Sequence, residues 1–283
     1  MVTVDQLALE PEYAVEKIME RPVRLPELHR RHEYFQIKNG VERLAGALLL
    51  IPAAPVILAC WLAVRMTSRG PGFFKQTRVG LGGQLFDVYK LRTMRQDAEA
   101  DGPQWSVKGD SRITRVGRIF RNLHLDELPQ LINVVKGEMV LVGPRPERPE
   151  FVGILSEEIP GYRRRLWVKP GITGLAQINL PPDCGLRCVE RKQILDLHHI
   201  DTANAWLDTR MVMVTALRLC CISNERLVRT LGLDRKDLLK DCPALAPNQK
   251  PTKLTDLLEQ RKYRNEWAID PPHAARATPH LPK

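Results

Sequence analysis

The pattern of apolar and polar positions divides the chain around one long uncharged run. Residues 44–64 read LAGALLLIPAAPVILACWLAV and contain no charged side chain. As a helix rising about 1.5 Å per residue, this run is long enough to cross the roughly 30 Å hydrocarbon core of a bilayer. The run therefore predicts a membrane segment, and its lack of charge argues against the core helix of a soluble protein.

Two features of the run favour a re-entrant hairpin over a straight crossing. Pro52 and Pro55 lie near its centre, and each removes a backbone N–H and favours a bend. Both flanks are basic, so the positive-inside rule sets no orientation for a single crossing. A segment that enters one leaflet, turns at the prolines and returns leaves both flanks on the cytoplasmic side. An ordinary bitopic anchor is the alternative, because spanning helices tolerate proline.

Shorter elements follow the apolar run. Alternating residues predict strands over Phe73–Val79 and Gln84–Met94, joined through a glycine-rich turn as a hairpin. The stretch Ile113–Leu123 has apolar residues on one helical face and arginines on the other, which is typical of a helix at a charged interface. Helical spacing predicts further helices over Asp126–Val135, Glu190–His199 and Ala205–Cys221.

Length and charge set the class of protein. The chain has 283 residues, a hydrophobic fraction of 43% and a net charge of +10, which suits a globular domain with anionic partners. We predict an α+β, mainly helical, monotopic membrane protein with a proline-broken re-entrant helix hairpin and a cytoplasmic catalytic domain. Its regions would be an N-terminal extension (1–40), a membrane helix (41–69), a catalytic domain (70–222) and a basic, proline-rich tail (223–283).

The six cysteines are too few and too unevenly placed for a disulfide framework in a chain of this length. They favour a reducing compartment. Cys184 and Cys188 could be combined with His198 or His199 into a zinc site, but the spacing fits no common zinc finger. Two free thiols are the expected state of this pair.

The densest group of chemically capable residues surrounds Asp126 and Glu127. Acidic residues at a helix start are commonly explained by the helix dipole and the exposed N–H groups. The same setting keeps a carboxylate ionised, as a nucleophile or a metal ligand requires. Nearby cations favour the functional interpretation, because phosphoryl transfer needs positive charge around the phosphate oxygens. The candidate cations are Lys90, Arg92 and Arg145.

Arg145 lies between Pro144 and Pro146, which fix the local backbone and would present the guanidinium with little loss of entropy. The alternative is a solvated arginine in a turn, and for Lys90 and Arg92 it is the polar face of an edge strand. A third patch, residues 169–177, contains a Pro-Gly turn that could bring backbone N–H groups to a phosphate. Turn chemistry explains that patch equally well.

Several separate segments resemble the bacterial sugar transferase family, the monotopic phosphoglycosyl transferases that start undecaprenyl-linked glycan assembly. The resemblance extends from about Val41 to Ile222. The segments that carry it are FFKQTRVGLGGQLFDVYKLRTM, HLDELPQLINVVKGEMVLVGPRPERPEFV, VKPGITGLAQIN, ILDLHHI and WLDTRMVMVTAL. Because all of these segments occur in the order typical of the family, together they identify it much more specifically than any one segment would alone.

The resemblance implies transfer of a phosphosugar from a UDP-sugar to polyprenyl phosphate, at the cytoplasmic face of the bacterial inner membrane, for exopolysaccharide or lipopolysaccharide synthesis. It implies that Asp126 is the nucleophile that forms a covalent phosphosugar intermediate, that Glu127 is a Mg²⁺ ligand, and that Arg121 and Arg145 serve the site. We add Lys90, Arg92, Pro144, Pro146, Thr173 and Gln177 as candidate substrate-binding residues. Expected partners also include anionic inner-membrane lipids and a possible second copy of the chain, but no nucleic acid.

Two other function classes are compatible with parts of the pattern. A membrane-tethered scaffold or nucleic-acid binder would use the +10 charge, although aromatic residues make up only 6% of the chain and offer few stacking platforms. A phosphatase with an aspartate nucleophile would hydrolyse its intermediate with water and would not need polyprenyl phosphate. UMP release that depends on polyprenyl phosphate distinguishes the transferase from both.

Overall fold

The structure is a computed structural model that describes residues 32–100, 109–181, 185–218, 222–240 and 242. The predicted N-terminal extension lies mostly outside the described residues, and so does the tail from residue 243 onward. Within the described ranges the chain is mainly helical and has two small β-sheets.

The apolar run lies in one long helix, α1 (His32–Thr67), which contains both Pro52 and Pro55. The helix passes the two prolines without an interruption, so the expected turn is not seen as a break between two helices. Among the described residues, α1 is the one helix long and apolar enough to cross a membrane. Many of its large apolar side chains are exposed, including Leu44, Leu48, Ile51 and Leu58. Such a surface is suited to lipid.

Both halves of α1 contact the rest of the protein. In the first half, a side chain added at Gly46 would meet Val134 at 2.7 Å, so the glycine permits close helix packing. In the second half, Cys60 belongs to a buried cluster with Leu91 and Phe120. The apolar run therefore begins and ends against the same body of the protein.

The predicted hairpin is confirmed, with a shorter second strand. Strand β1 (Phe73–Val79) pairs antiparallel with β2 (Leu85–Leu91) in one continuous register. Gly82 lies in the connecting turn with φ of 66°, in the left-handed region that glycine adopts without strain. The hairpin holds Lys90 near its end, next to the acidic pair.

The remaining elements form a compact arrangement around a second, parallel sheet in which β3 pairs with β4. In chain order they are α2 (Arg115–Asn122), a 3₁₀ turn (Leu125–Glu127), α3 (Gln130–Lys136), β3 (Val140–Val142), α4 (Pro149–Glu158), a 3₁₀ turn (Tyr162–Trp167), β4 (Gly171–Thr173), α5 (Leu175–Asn179), α6 (Leu186–Thr202), α7 (Ala205–Arg218), α8 (Asn224–Thr230) and a 3₁₀ turn (Lys236–Leu239).

The prediction of one helix over Asp126–Val135 is wrong. The acidic pair lies in the 3₁₀ turn, and α3 begins only after Pro129, which has no N–H to donate to a helical bond. Helix α3 ends, as expected, at Gly137, whose φ of 81° forms a left-handed cap.

The largest buried cluster joins β3, α5, α6 and α7. Helix α8 and the turn after it add Leu227, Val228, Leu233 and Leu239 to this cluster. The core therefore continues past residue 222, where the composition of the sequence placed the start of the tail.

Candidate active site

The acidic pair is presented by the short 3₁₀ turn between α2 and α3. His124 begins this turn with φ of 54° and ψ of 20°, and it is the one described non-glycine residue with positive φ. This conformation costs about 1 kcal/mol or more and is enriched where a site fixes the backbone. The turn brings Glu127 within 2.9 Å of Lys90, near the end of the β1–β2 hairpin.

Glu127 is the centre of a three-residue ionic group. Its Oε1 accepts hydrogen bonds from Lys90 Nζ at 2.9 Å and from Arg145 Nη2 at 2.6 Å. Burial alone would raise the pKa of Glu127, but Arg145 and Lys90 outweigh it and hold that pKa well below its usual range. Burial lowers the pKa of Lys90, and Glu127 opposes this effect. Glu127 therefore stays a carboxylate.

Asp126 has a different environment although it is the next residue. Its side chain is buried, with the residue 8% exposed. Burial, followed by the charge of Glu127, raises the pKa of Asp126, while Lys90, Arg121 and Arg145 act in the opposite direction. Loss of solvent therefore opposes the ionisation of Asp126, whereas the position predicted for it, at the start of a helix, would favour it.

Arg121 approaches the pair from α2. Its Nε donates to Thr93 Oγ1 at 2.8 Å, and Asp126 is the leading carboxylate that opposes the effect of burial, which lowers the pKa of Arg121. Helix α2 can lie this close because Gly117 packs on the Thr93 carbonyl, where an added Cβ would come within 2.1 Å of the oxygen. The predicted arginine thus lies at the site.

The Pro144–Pro146 loop, which carries Arg145, is fixed through its backbone carbonyls. Arg165 Nη2 donates to the Arg145 carbonyl at 3.1 Å, and Arg78 Nη1 donates to the Pro146 carbonyl at the same distance. Arg165 is itself held by Asp196, through a 2.8 Å bond from its Nε. Arg78 and Arg165 were missed by the sequence analysis, since no local pattern shows a contact to a distant carbonyl.

A small cavity, partly open to solvent, lies beside this loop. Arg145, Pro144 and Pro146 line it, together with Tyr162 and Arg165. It therefore offers an apolar wall and two guanidinium groups, of which that of Arg145 is bonded to Glu127.

Three predicted substrate-binding residues do not join the acidic pair. Arg92 is buried and donates from Nη2 to the carbonyl and hydroxyl oxygens of Ser68, just beyond the end of α1. Thr173 is buried, and its Oγ1 accepts from Thr215 Oγ1 at 2.7 Å. Gln177 donates to the Ile172 carbonyl at 2.8 Å. These side chains hold the fold behind the site.

Arg218, at the end of α7, is a further cation that sequence analysis did not assign to the site. Burial lowers its pKa, and Glu127 is the carboxylate that opposes this shift. Arg218 also acts, after burial, to lower the pKa of His124. It lies about one helical turn after Thr215, whose hydroxyl is bonded to Thr173 at the end of β4.

The donor set was compared with the needs of Mg²⁺ and of zinc. No group of three or more His, Cys, Asp or Glu side chains placed to hold a metal ion occurs in the described ranges. Cys184 lies outside those ranges, and Cys188 is disulfide-bonded, so the expected free thiol is absent there. Mg²⁺ is commonly held by one or two carboxylates plus substrate phosphates and water. Asp126 and Glu127 fit this arrangement for Mg²⁺, whereas none of the described residues form a zinc site.

Much of the chain is similar to known proteins. A family model described as bacterial sugar transferase matches residues 33–221. The UDP-N-acetylgalactosamine-undecaprenyl-phosphate N-acetylgalactosaminephosphotransferase of Aeromonas hydrophila is 41% identical over 182 residues, which are 64% of this chain and 43% of that protein. The UDP-glucose:undecaprenyl-phosphate glucose-1-phosphate transferase of Caulobacter vibrioides is 41% identical over 196 residues, covering 66% and 71%.

A protein of the same name from Xanthomonas campestris is 39% identical, and the match covers 40% of its length. The chain thus spans less than half of two of these three relatives. The family model covers more than half of the chain and includes α1, the hairpin, the acidic pair and the Arg145 loop. Together with the long apolar helix, this match indicates a membrane-associated protein, and the chain belongs to the bacterial sugar transferase family.

Proposed function

We propose that this protein transfers a phosphosugar from a UDP-sugar to polyprenyl phosphate and releases UMP. The observation that carries the proposal is the buried Asp126 beside Glu127, on which Lys90 and Arg145 converge. A dry carboxylate surrounded by fixed cations is suited to attack on a phosphorus atom, because the cations offset the charge of the phosphate oxygens. The names of the relatives support the same substrates.

The reaction proceeds in two displacements. An oxygen of Asp126 attacks the β-phosphorus of the UDP-sugar, and the bond from that phosphorus to the oxygen bridging the two phosphates breaks. UMP leaves with that bridging oxygen and its electron pair. An oxygen of polyprenyl phosphate then attacks the same phosphorus, which frees the Asp126 carboxylate and forms polyprenyl diphosphate sugar.

Each cation has a separate part in this scheme. Arg145 offers a planar fork to the phosphate oxygens, and Lys90 acts as a point charge. Arg121 adds positive charge next to Asp126, since the two side chains act on each other's pKa. Glu127 would hold Mg²⁺, which neutralises phosphate charge when it is bound. Since Glu127 Oε1 already accepts from two cations, its second oxygen would be the donor for the metal.

We also propose that α1 is re-entrant and that both of its ends lie on the cytoplasmic side. Support comes from packing, because residues in both halves of α1 contact one catalytic body. A straight crossing would carry one end to the far side of a core about 30 Å thick. A re-entrant anchor keeps Asp126 near the plane where the phosphate of the acceptor lipid lies.

The test uses the full chain in nanodiscs with undecaprenyl phosphate and Mg²⁺, supplied with UDP-glucose or UDP-N-acetylgalactosamine. We expect UMP release that requires the acceptor lipid. Asp126→Asn should abolish it, together with covalent labelling by the UDP-sugar, while membrane binding persists. Asp97→Asn is the control, since Asp97 is a mostly exposed loop residue.

The alternatives predict different results. UMP release by Asp126→Asn at the wild-type rate would exclude Asp126 as the nucleophile. Turnover that ignores the acceptor lipid would favour a phosphatase, and salt-sensitive RNA binding without turnover would favour a scaffold. Epitope tags at the two ends of the chain, probed in vesicles of known orientation, test the anchor. Tags accessible on opposite sides would contradict the re-entrant topology.

A further inference from the structure

Glu42 is a buried acid on α1 whose two carboxylate oxygens face different partners. Oε1 accepts a 2.6 Å bond from Lys38 Nζ, one helical turn earlier. Oε2 accepts a 2.7 Å bond from the backbone N–H of Leu141 and a longer, 3.4 Å bond from that of Val142. A side chain of the membrane helix is therefore bonded to the backbone of a strand in the catalytic body.

Among the described residues, that strand, β3, has a partner strand on one edge only. On that edge β4 pairs with it in parallel, and the flanking bonds include Val140 N–H to the Pro170 carbonyl and Gly143 N–H to the Thr173 carbonyl. Between these two positions, the N–H of Leu141 donates to Glu42 Oε2 and not to a carbonyl of β4. Glu42 therefore accepts from a backbone N–H of β3 that β4 does not bind.

The position of Glu42 is itself fixed by a buried polar network. Lys38 Nζ, which binds Glu42, also donates to Asp208 Oδ2 at 2.5 Å. Asp208 accepts a 2.6 Å bond from Tyr34 Oη and shares a 2.7 Å bond with His199 Nε2. This network attaches α1 to α6 and α7, so Glu42 has little freedom to move relative to the catalytic body.

Strand β3 leads directly into the loop that carries Arg145. Only Gly143 and Pro144 separate the end of β3 from Arg145, and prolines on both sides restrict its backbone. The Pro144 carbonyl accepts from the N–H of Gly171, which joins the loop to β4 as well. A displacement of β3 would therefore also move the Arg145 guanidinium, because the short connecting segment has little conformational freedom.

We propose that Glu42 is a positioning residue: by binding the backbone of β3, it couples the position of α1 to the position of the Arg145 side chain. Its catalytic consequence rests on the proposed function, but its structural consequence does not. The competing explanation is that Glu42 serves only as a counter-charge for Lys38. The two explanations differ in what they require: the first needs an acceptor atom at this position, and the second needs a negative charge.

Two substitutions of Glu42 distinguish the need for a hydrogen-bond acceptor from the need for a negative charge. Glu42→Gln keeps an oxygen that can accept from Leu141 and removes the charge, whereas Glu42→Met keeps the length and removes both. Glu33→Gln, at an exposed position on the same helix, is the matched control. Each full-length protein is studied in nanodiscs, first by hydrogen–deuterium exchange over residues 139–146 without ligand, and then by UMP release from UDP-glucose or UDP-N-acetylgalactosamine.

We expect Glu42→Met to increase exchange at Leu141 by about tenfold, the change that corresponds to one lost backbone hydrogen bond of about 1.4 kcal/mol. We expect its kcat/KM to fall by about 10- to 100-fold, because a displacement of about 1 Å in a positioning group can cost that much. Glu42→Gln should stay within about threefold of wild type in both measurements, as an amide oxygen still accepts the bond.

The inference is overturned if Glu42→Met leaves exchange unchanged, or if Gln and Met impair the protein equally. Should Glu42→Met fail to fold, Glu42→Gln alone decides the matter, since loss of protection in that variant contradicts an acceptor role. Absence of UMP release by the wild-type protein would refute the proposed function. The exchange experiment would still decide whether Glu42 orders β3.

Discussion

Adjacent acids in this site should respond in opposite directions when their charges are removed. Glu127 shares one oxygen with Lys90 and Arg145, so Glu127→Gln leaves two cations side by side without a counter-charge. Breaking a buried pair costs about 3–5 kcal/mol, but the Arg145 side chain is 39% exposed and solvent screening reduces the cost to about 2 kcal/mol. For a chain of this size that lowers the Tm by about 4–8 °C.

Asp126→Asn should instead raise the Tm. A carboxyl whose pKa is raised on folding destabilises the folded state at every pH where it is ionised, so at pH 7 the neutral amide is the better tolerated group. We expect a gain of about 1 kcal/mol, or about 2–4 °C, of the order found when a strained functional residue is replaced. Glu127 is the reverse case, because its pKa is lowered and its contribution is lost only as the pH falls through that lowered value.

Thermal unfolding of detergent-purified protein at pH 7 with EDTA measures both effects without bound metal. Both variants should lose UMP release, so activity does not separate them and stability does. Asp97→Asn should leave the Tm within about 1–2 °C, because an exposed substitution rarely exceeds about 0.5 kcal/mol. Shifts of the same sign for Asp126→Asn and Glu127→Gln would refute the assignment of different environments to the two acids.

Three further substitutions test other parts of the site. Arg78→Lys keeps the charge but loses the fork that reaches the Pro146 carbonyl, and we expect a lower kcat/KM for the UDP-sugar by about tenfold at unchanged Tm, measured by UMP release. Arg218→Gln should raise the KM for the UDP-sugar about tenfold in the same assay, as loss of one charge-assisted bond would. Asp208→Asn should lower the Tm by about 6–12 °C at pH 7. Burial alone would raise the pKa of Asp208, but its bonds hold it below 3.8, so this difference should shrink as the pH falls below that value in a series of melting curves.

Much of the site was predictable because its signals are local or belong to the family. Alternating residues around a glycine turn predict the β1–β2 hairpin, which carries Lys90 to Glu127. Two prolines around one arginine predict a fixed guanidinium, and the structure shows Arg145 bonded to the same carboxylate. In both cases the sequence contains the physical cause within a few residues.

The rest depends on contacts between distant segments. Lys90 and Arg92 are two residues apart, so an extended chain places them on the same face and the sequence makes both equally good candidates for the site. In the structure, however, Arg92 bonds to Ser68, just beyond the end of α1. The carbonyls that Arg78 and Arg165 support lie 68 and 20 residues away, and a backbone acceptor leaves no trace in the residue type. Burial of Asp126 depends likewise on the whole packed body and not on its own turn.

Asp126 is buried and, within the described part of the chain, has no directly bonded cation, whereas Glu127 is bonded to two, and this difference suits the proposed reaction. Two ionised carboxylates on consecutive residues repel each other, and Glu127 does raise the pKa of Asp126. Lys90 and Arg145 relieve that repulsion at Glu127 only, through direct bonds, and act on Asp126 from a distance. Cations bonded directly to Asp126 would stabilise its charge and weaken its attack on phosphorus. The same two cations bond to Glu127 and, among the described contacts, not to Asp126, so they would leave the proposed nucleophile reactive and keep positive charge where the phosphate oxygens of the proposed substrate would bind.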